Sequence, residues 1–214
     1  MSTFSYELYL VTDEKACLGR DLFWIVEEAV KGGVDLVQLR EKELSHGDFL
    51  QRARKLKKLL DRYSIPLIIN DNLEIAKTIG ALGVHVGVND VTPQQIRKVW
   101  RSCECLGYSI EYLDQIESSE VSACDYVAAS PVFSTPTKTN TMSEWGLAGV
   151  SKIKSLTSTP LVAIGGINIS NAAAIIQAGA DCLAIVSGIC SAKDPRVAAE
   201  SFKKEIQYAK RKTL

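Results

Sequence analysis

Residues 34–70 read VDLVQLREKELSHGDFLQRARKLKKLLDRYSIPLIIN, and their pattern decides the fold. Residues 34–39 form a short apolar run, the length of a buried strand. Ser45 with Asp48 three positions on resembles a capping box, where a side chain accepts from the first free helix N–H groups. Phe49, Leu50, Ala53, Leu56, Leu59 and Leu60 then recur at helical spacing, with Arg and Lys between them. Pro66 opens a second apolar run, Leu67-Ile68-Ile69. A strand, an amphipathic helix and a second strand in this order make the unit of a parallel sheet.

Working outward, the same unit repeats along the whole chain. The expected strands are 8–11, 34–39, 67–69, 84–86, 105–108, 126–129, 161–164 and 183–186. The expected helices are 21–31, 45–60, 72–82, 93–102, 112–118, 150–156, 170–178 and 195–210. Gly32-Gly33 and Gly83 read as helix stops, and Pro93 suits a helix's first turn. Eight such units in 214 residues match the size of an α/β TIM (β/α)₈ barrel, here a single domain over residues 1–214. No linker or shift in composition divides the chain.

Composition narrows the class of function. Lys and Arg number 25 and Asp and Glu 25, a formal net charge of zero. A general nucleic-acid binder needs an excess of positive charge, so none is expected as a partner. Two histidines exclude a multi-histidine metal site. The six cysteines, Cys17, Cys103, Cys105, Cys124, Cys182 and Cys190, contain no C-x-x-C pair. They read as small buried hydrophobes in a reducing, cytoplasmic compartment. No signal peptide and no membrane span are expected. The basic end Lys210-Arg211-Lys212 reads as a solvated helix terminus.

In a barrel of this type the chemistry gathers where strands end. Gln38, Arg40 and Lys42 alternate after strand two, so all three can face one ligand. Asp71 and Asp90 follow strands three and four, and two carboxylates with water and phosphate oxygens are how proteins hold Mg²⁺. Each also has an ordinary reading, as a helix-start acid and as a turn residue. Thr135-Pro136-Thr137-Lys138 lies in a long loop, residues 130–146, of a kind that often binds or covers a ligand. Gly165-Gly166 and Ser187-Gly188 match the recurrent phosphate site after strands seven and eight. His85 reads as a residue of the barrel wall, and His46 as exposed. These residues describe two anionic subsites on one rim with no evident nucleophile. One, cationic with Mg²⁺, suits a diphosphate; the other, glycine-lined, suits a phosphate monoester. Electrostatic assistance to a departing diphosphate is the chemistry that fits.

Five motifs in combination, Gln38-Leu39-Arg40-Glu41-Lys42, Ile69-Asn70-Asp71, Gly83-Val84-His85-Val86-Gly87, Thr135-Pro136-Thr137-Lys138 and Ala163-Ile164-Gly165-Gly166-Ile167, carry a resemblance to the thiamine-phosphate synthase family. It covers nearly the whole chain. The resemblance implies condensation of hydroxymethylpyrimidine diphosphate with hydroxyethylthiazole phosphate, giving thiamine phosphate and diphosphate. It implies that Gln38, Arg40, Lys42, Asn70 and Lys138 contact the pyrimidine diphosphate, with Arg40, Lys42 and Lys138 as the catalytic cations. Asp71 and Asp90 would hold Mg²⁺, and Ser109 would contact the pyrimidine. Thr135, Thr137, Gly166, Val186 and Ser187 would hold the thiazole phosphate. The implied mechanism is dissociative, through a pyrimidinylmethyl cation captured by the thiazole nitrogen. Two positions depart from the pattern: Glu111 stands where the family often has His, and Gly188 where alanine is usual. The segment 139–142 also diverges. A homodimer is expected, since barrels often pair. The rival readings are a thiazole tautomerase, a sugar-phosphate lyase or isomerase using Lys42, and a non-catalytic sensor of phosphorylated precursors.

Overall fold

Eight parallel strands close in chain order into one barrel in the computed structural model, which describes residues 4–135 and 144–213. They are β1 (Leu8–Val11), β2 (Leu36–Leu39), β3 (Leu67–Asn70), β4 (Gly83–Val86), β5 (Cys105–Ile110), β6 (Tyr126–Ala129), β7 (Leu161–Ile164) and β8 (Cys182–Ile185). Strand β1 closes the ring by pairing with both β2 and β8. Between strands run α1 (Leu22–Lys31), α2 (His46–Asp61), α3 (Leu73–Ile79), α4 (Pro93–Val99), α5 (Ser119–Ser122), α6 (Gly146–Leu156) and α7 (Ile169–Gln177). Short α8 (Ser187–Cys190) and long α9 (Pro195–Thr213) follow β8. Asp21, Ser45, Asn72, Thr92 and Asn168 each accept a backbone N–H of the helix they precede, which is why those helices start where they do.

Side chains alternate across the barrel wall, so each strand feeds two cores. Outward residues such as Leu10, Val37, Leu67, Ile69, Val84, Val127 and Leu183 are buried beneath the helices. Inward residues Tyr9, Leu36, Ile68, Cys105, Tyr126, Val162 and Cys182 fill the barrel itself. Phe4 and Tyr6, ahead of β1, pack on that inner core. The ring of Phe4 lies 4.7 Å from that of Tyr126.

The N-terminal rim repeats one device three times. Asp35, Asp125 and Asp181 each precede a strand and accept an N–H from the first or second residue of a neighbouring one, at Leu8, Leu106 and Leu161. Each aspartate is also paired with a cation, Lys203, Arg97 or Lys154. Lys210 reaches Glu7 at 2.9 Å, so the basic end of α9 is partly built into this rim and is not simply solvated.

Other elements differ from expectation in their limits. Helix α3 ends at Ile79 because Gly80 turns left-handed (φ 62°). Gly83 is the first residue of β4 and not a helix stop. The expected helix 112–118 is a 3₁₀ turn, Leu113–Glu117, followed by α5. Helix α6 starts at Gly146, four residues before the expected 150. The short α8 has too few residues to show a hydrophobic period.

Candidate active site

The polar residues that face inward converge at the C-terminal end of the barrel. Register places Gln38 beside Val11 and Ile68, Asn70 beside His85, and Ser109 beside Ala128, all on the inner face. Above this layer opens a cavity of about 320 Å³. Beneath it runs a hydrogen-bonded chain. Gln38 Nε2 donates to Tyr9 Oη at 2.6 Å, and Tyr9 Oη lies 3.1 Å from Tyr126 Oη. Tyr126 Oη lies 2.9 Å from His85 Nδ1, and His85 Nε2 lies 2.9 Å from Ser109 Oγ. Burial pushes both phenols far up, so Tyr9 and Tyr126 stay neutral.

The rim carries the charge. Arg40 Nη1 lies 3.0 Å from Asp13 Oδ2, and the Arg40 N–H donates to Thr12 Oγ1. Lys42 Nζ donates to the Asp71 carboxylate, as does Asn70 Nδ2. Asp71 holds a left-handed backbone (φ 59°), a conformation that Asp and Asn adopt more readily than other non-glycine residues. That turn aims its carboxyl at the cavity. Burial pushes the Asp71 carboxyl up, Lys42 opposes the rise, and neighbouring Asp90 adds to it. Two carboxyls thus crowd one place, which is the condition a divalent cation relieves. Asp90 Oδ2 also accepts the Gly87 N–H at 2.8 Å, which fixes its direction. No cluster of three or more His, Cys, Asp or Glu side chains fit for a metal exists among the described residues. The pair fits a cation that keeps waters and takes oxygens from a ligand, as Mg²⁺ does.

The opposite wall is neutral. Val11, Ile164, Val186, Pro131, Thr135 and Gly165 line it. Gly165 and Gly166 have φ of 98° and 64°. A Cβ on Gly165 would meet Pro131 Cβ at 2.6 Å, and one on Gly166 would meet Phe133 Cβ at 2.7 Å. The double glycine therefore lets the segment after β6 lie against the end of β7, where the Val132 and Phe133 N–H groups donate to Ile164 and Gly165. Position 188 is equally tight: a Cβ there would lie 2.9 Å from Phe202 Cζ. Glycine at 188 thus leaves the Phe202 ring the room that a Cβ would take.

Of the residues expected at the site, Gln38, Arg40, Lys42, Asn70, Asp71, Asp90, Ser109, Thr135 and Val186 line this cavity. Gly166 and Ser187 are not in its lining, although Gly165 and Val186 beside them are. Thr137 and Lys138 lie outside the described residues. His85 corrects the sequence expectation, because its ring faces the cavity and is not a passive part of the wall. The signal was present: Val84 and Val86 belong under the helices, which turns His85 inward. Glu111 also lines the cavity. Tyr9 and Tyr126 were missed because their partners are distant in sequence.

The matched family model, described as thiamine monophosphate synthase, covers residues 8–189. The chain belongs to the thiamine monophosphate synthase family. A thiamine-phosphate synthase of Albidiferax ferrireducens is 48% identical over 192 residues, covering 90% of this chain and 88% of that one. Another, from Leptospira biflexa, is 45% identical over 202 residues, covering 92% and 96%. Among solved structures, thiamine phosphate pyrophosphorylase from Pyrococcus furiosus superposes with a TM-score of 0.87 at 28% identity, over 96% of this chain and 97% of that one. Family membership thus agrees with the barrel. No helix among the described residues is long and apolar enough to cross a membrane.

Proposed function

We propose that this chain is a thiamine-phosphate synthase, joining hydroxymethylpyrimidine diphosphate to hydroxyethylthiazole phosphate with release of diphosphate. The observation that carries this reading is the meeting of Lys42, Asp71 and Asp90 at the mouth of one cavity whose floor is neutral and hydrogen-bonding. Heterolysis of the carbon–oxygen bond to diphosphate leaves a pyrimidinylmethyl cation, which the thiazole nitrogen captures. Arg40 and Lys42 stabilise the charge that grows on the leaving oxygens, with Lys138 assigned the same task. Gln38, Asn70 and Ser109 orient the pyrimidine, while Val11, Ile164 and Val186 keep water from the cation. Thr135, Thr137, Gly166, Val186 and Ser187 are assigned to the thiazole phosphate. Asp71 and Asp90 would hold Mg²⁺, which when bound neutralises diphosphate oxygens and eases their departure.

Arg40 is paired with Asp13 and Lys42 with Asp71. A diphosphate competes for both cations, and when Lys42 turns to it the Asp71 carboxylate is released for Mg²⁺. Diphosphate and metal are thereby expected to bind cooperatively. The test is purified protein with both phosphorylated substrates and Mg²⁺, followed by diphosphate release and thiamine phosphate formation. Absence of turnover by folded protein would reject the reading. Conversion of the thiazole phosphate alone would favour a tautomerase instead. The same reading takes the enzyme as a cytoplasmic homodimer acting on small molecules, and light scattering checks the assembly.

A further inference from the structure

We propose that Tyr126 is a positioning residue that selects the Nε2–H tautomer of His85 and thereby makes Ser109 a hydrogen-bond donor to the ligand in the cavity. The argument follows single protons along the chain beneath the floor. An amide nitrogen only donates, so at its 2.6 Å contact with Gln38 Nε2 the Tyr9 oxygen accepts. Tyr9 then directs its one proton to Tyr126 Oη, 3.1 Å away. Tyr126, already accepting from Tyr9, directs its own proton to His85 Nδ1 at 2.9 Å. A neutral imidazole whose Nδ1 accepts carries its proton on Nε2. That proton points at Ser109 Oγ, 2.9 Å away. Ser109 accepts from the ring, so its hydroxyl proton is available to an acceptor in the cavity that it lines.

Three features make the direction a built property. Tyr9 and Tyr126 are fully enclosed, so water does not compete for their protons. Gly107 leaves the space that the Tyr126 phenol and the His85 ring occupy together: a Cβ there would be 2.3 Å from Tyr126 Oη and 2.5 Å from His85 Nδ1. The two rings are stacked at 5.5 Å between centroids with 20° between planes, which holds the imidazole edge toward Ser109. The acceptor that suits a serine donor at this depth is a ring nitrogen of a neutral heterocycle. Its identification as the pyrimidine rests on the proposed function, whereas the tautomer does not.

The experiment is ¹⁵N NMR of the histidine rings in ligand-free protein. With only two histidines, the spectrum of a His46→Gln variant assigns His85 directly. Wild type is expected to show a protonated Nε2 and an unprotonated Nδ1 for His85. In Tyr126→Phe that preference is expected to collapse toward a mixture of tautomers. In the same variant kcat/KM for the pyrimidine diphosphate should fall about tenfold or more, the effect of leaving a buried hydrogen bond unmade, with KM for the thiazole phosphate unchanged. A protonated Nδ1 in wild type overturns the proposal even if the variant does not fold. An unchanged tautomer with lowered activity overturns it as a merely structural effect, and an altered tautomer with unaltered activity removes the positioning role. Wild-type protein with the expected tautomer but no synthase turnover would reject the proposed function and leave the tautomer assignment standing.

Discussion

Gly107 and Tyr126 compete for a single volume: a Cβ added to the glycine would lie 2.1 Å from Cζ of the tyrosine. The two residues lie directly opposite each other on β5 and β6. The large ring from one strand therefore fills the place left by the missing side chain of the next. Gly107→Ala is expected to destabilise the protein by about 2–3 kcal/mol, because interior overpacking is relieved only by moving ring or backbone. Chemical denaturation measures this. Whatever phenol displacement the alanine causes should also disturb the His85 ring spectrum in the manner of Tyr126→Phe. A Gly107→Ala protein as stable as wild type would mean that the barrel interior yields at this point.

Asp90→Asn keeps an oxygen to accept the Gly87 N–H, so the loop after β4 should hold its shape. It removes one of the two negative charges that would face a cation. The expected result is a rise in the Mg²⁺ concentration for half-maximal turnover of roughly tenfold or more, with slower turnover and little change in melting temperature. Titrating Mg²⁺ against rate, alongside a thermal melt, separates loss of metal affinity from loss of fold. A metal titration identical to wild type would remove Asp90 from the site.

Asp181→Ala tests the repeated device on the N-terminal rim. The carboxylate accepts the Leu161 N–H at 2.7 Å and is paired with Lys154 at the same distance. Its removal leaves the first N–H of β7 without that partner, at an expected cost of about 1–3 kcal/mol. The ion pair adds little to that figure because both of its partners remain partly in water. Activity of the folded fraction should be unaffected, since the substitution lies at the opposite end of the barrel from the cavity. Equilibrium urea unfolding with a parallel activity assay checks both halves.

The difference between rim and floor explains how much was legible in the sequence. Strand number, helix order and the ring of Gln38, Arg40, Lys42, Asn70, Asp71 and Asp90 follow from local periodicity, because each lies at the end of an apolar run. The buried chain is not local. Tyr9 and Tyr126 are 117 positions apart, and a tyrosine at a strand start reads only as a large hydrophobe. The rim aspartates were hidden for the same reason, since Asp35 finds Lys203 at a separation of 168. Helix limits failed where short turns such as α5 and α8 span barely one hydrophobic period, too little for a pattern to repeat. Nor does spacing show that Gly165 and Gly166 lie against Pro131 and Phe133, whose segment follows a path no spacing rule gives.

Stability in acid should depend on Glu7 and Glu41 in opposite senses. Burial acts to raise the Glu7 carboxyl, but hydrogen bonds from Lys210 and Lys203 outweigh it and hold the group below the ordinary range. The unfolded chain therefore binds a proton at Glu7 more readily than the folded one. Its contribution is complete above the ordinary glutamate pKa of about 4.3 and is lost as pH falls through the depressed value. Glu41 is the reverse case, because burial raises its carboxyl despite the partnership with Arg52. There the folded state takes up the proton first, and acidification through the ordinary range favours folding. Glu7→Gln is accordingly expected to lower stability at pH 7 and to flatten its decline from pH 5 to 3, roughly the range spanning that ordinary value. Glu41→Gln should steepen the same decline. Urea midpoints measured across that range for the two variants and wild type decide the matter: parallel curves for all three would show that neither carboxyl carries a folded-state shift.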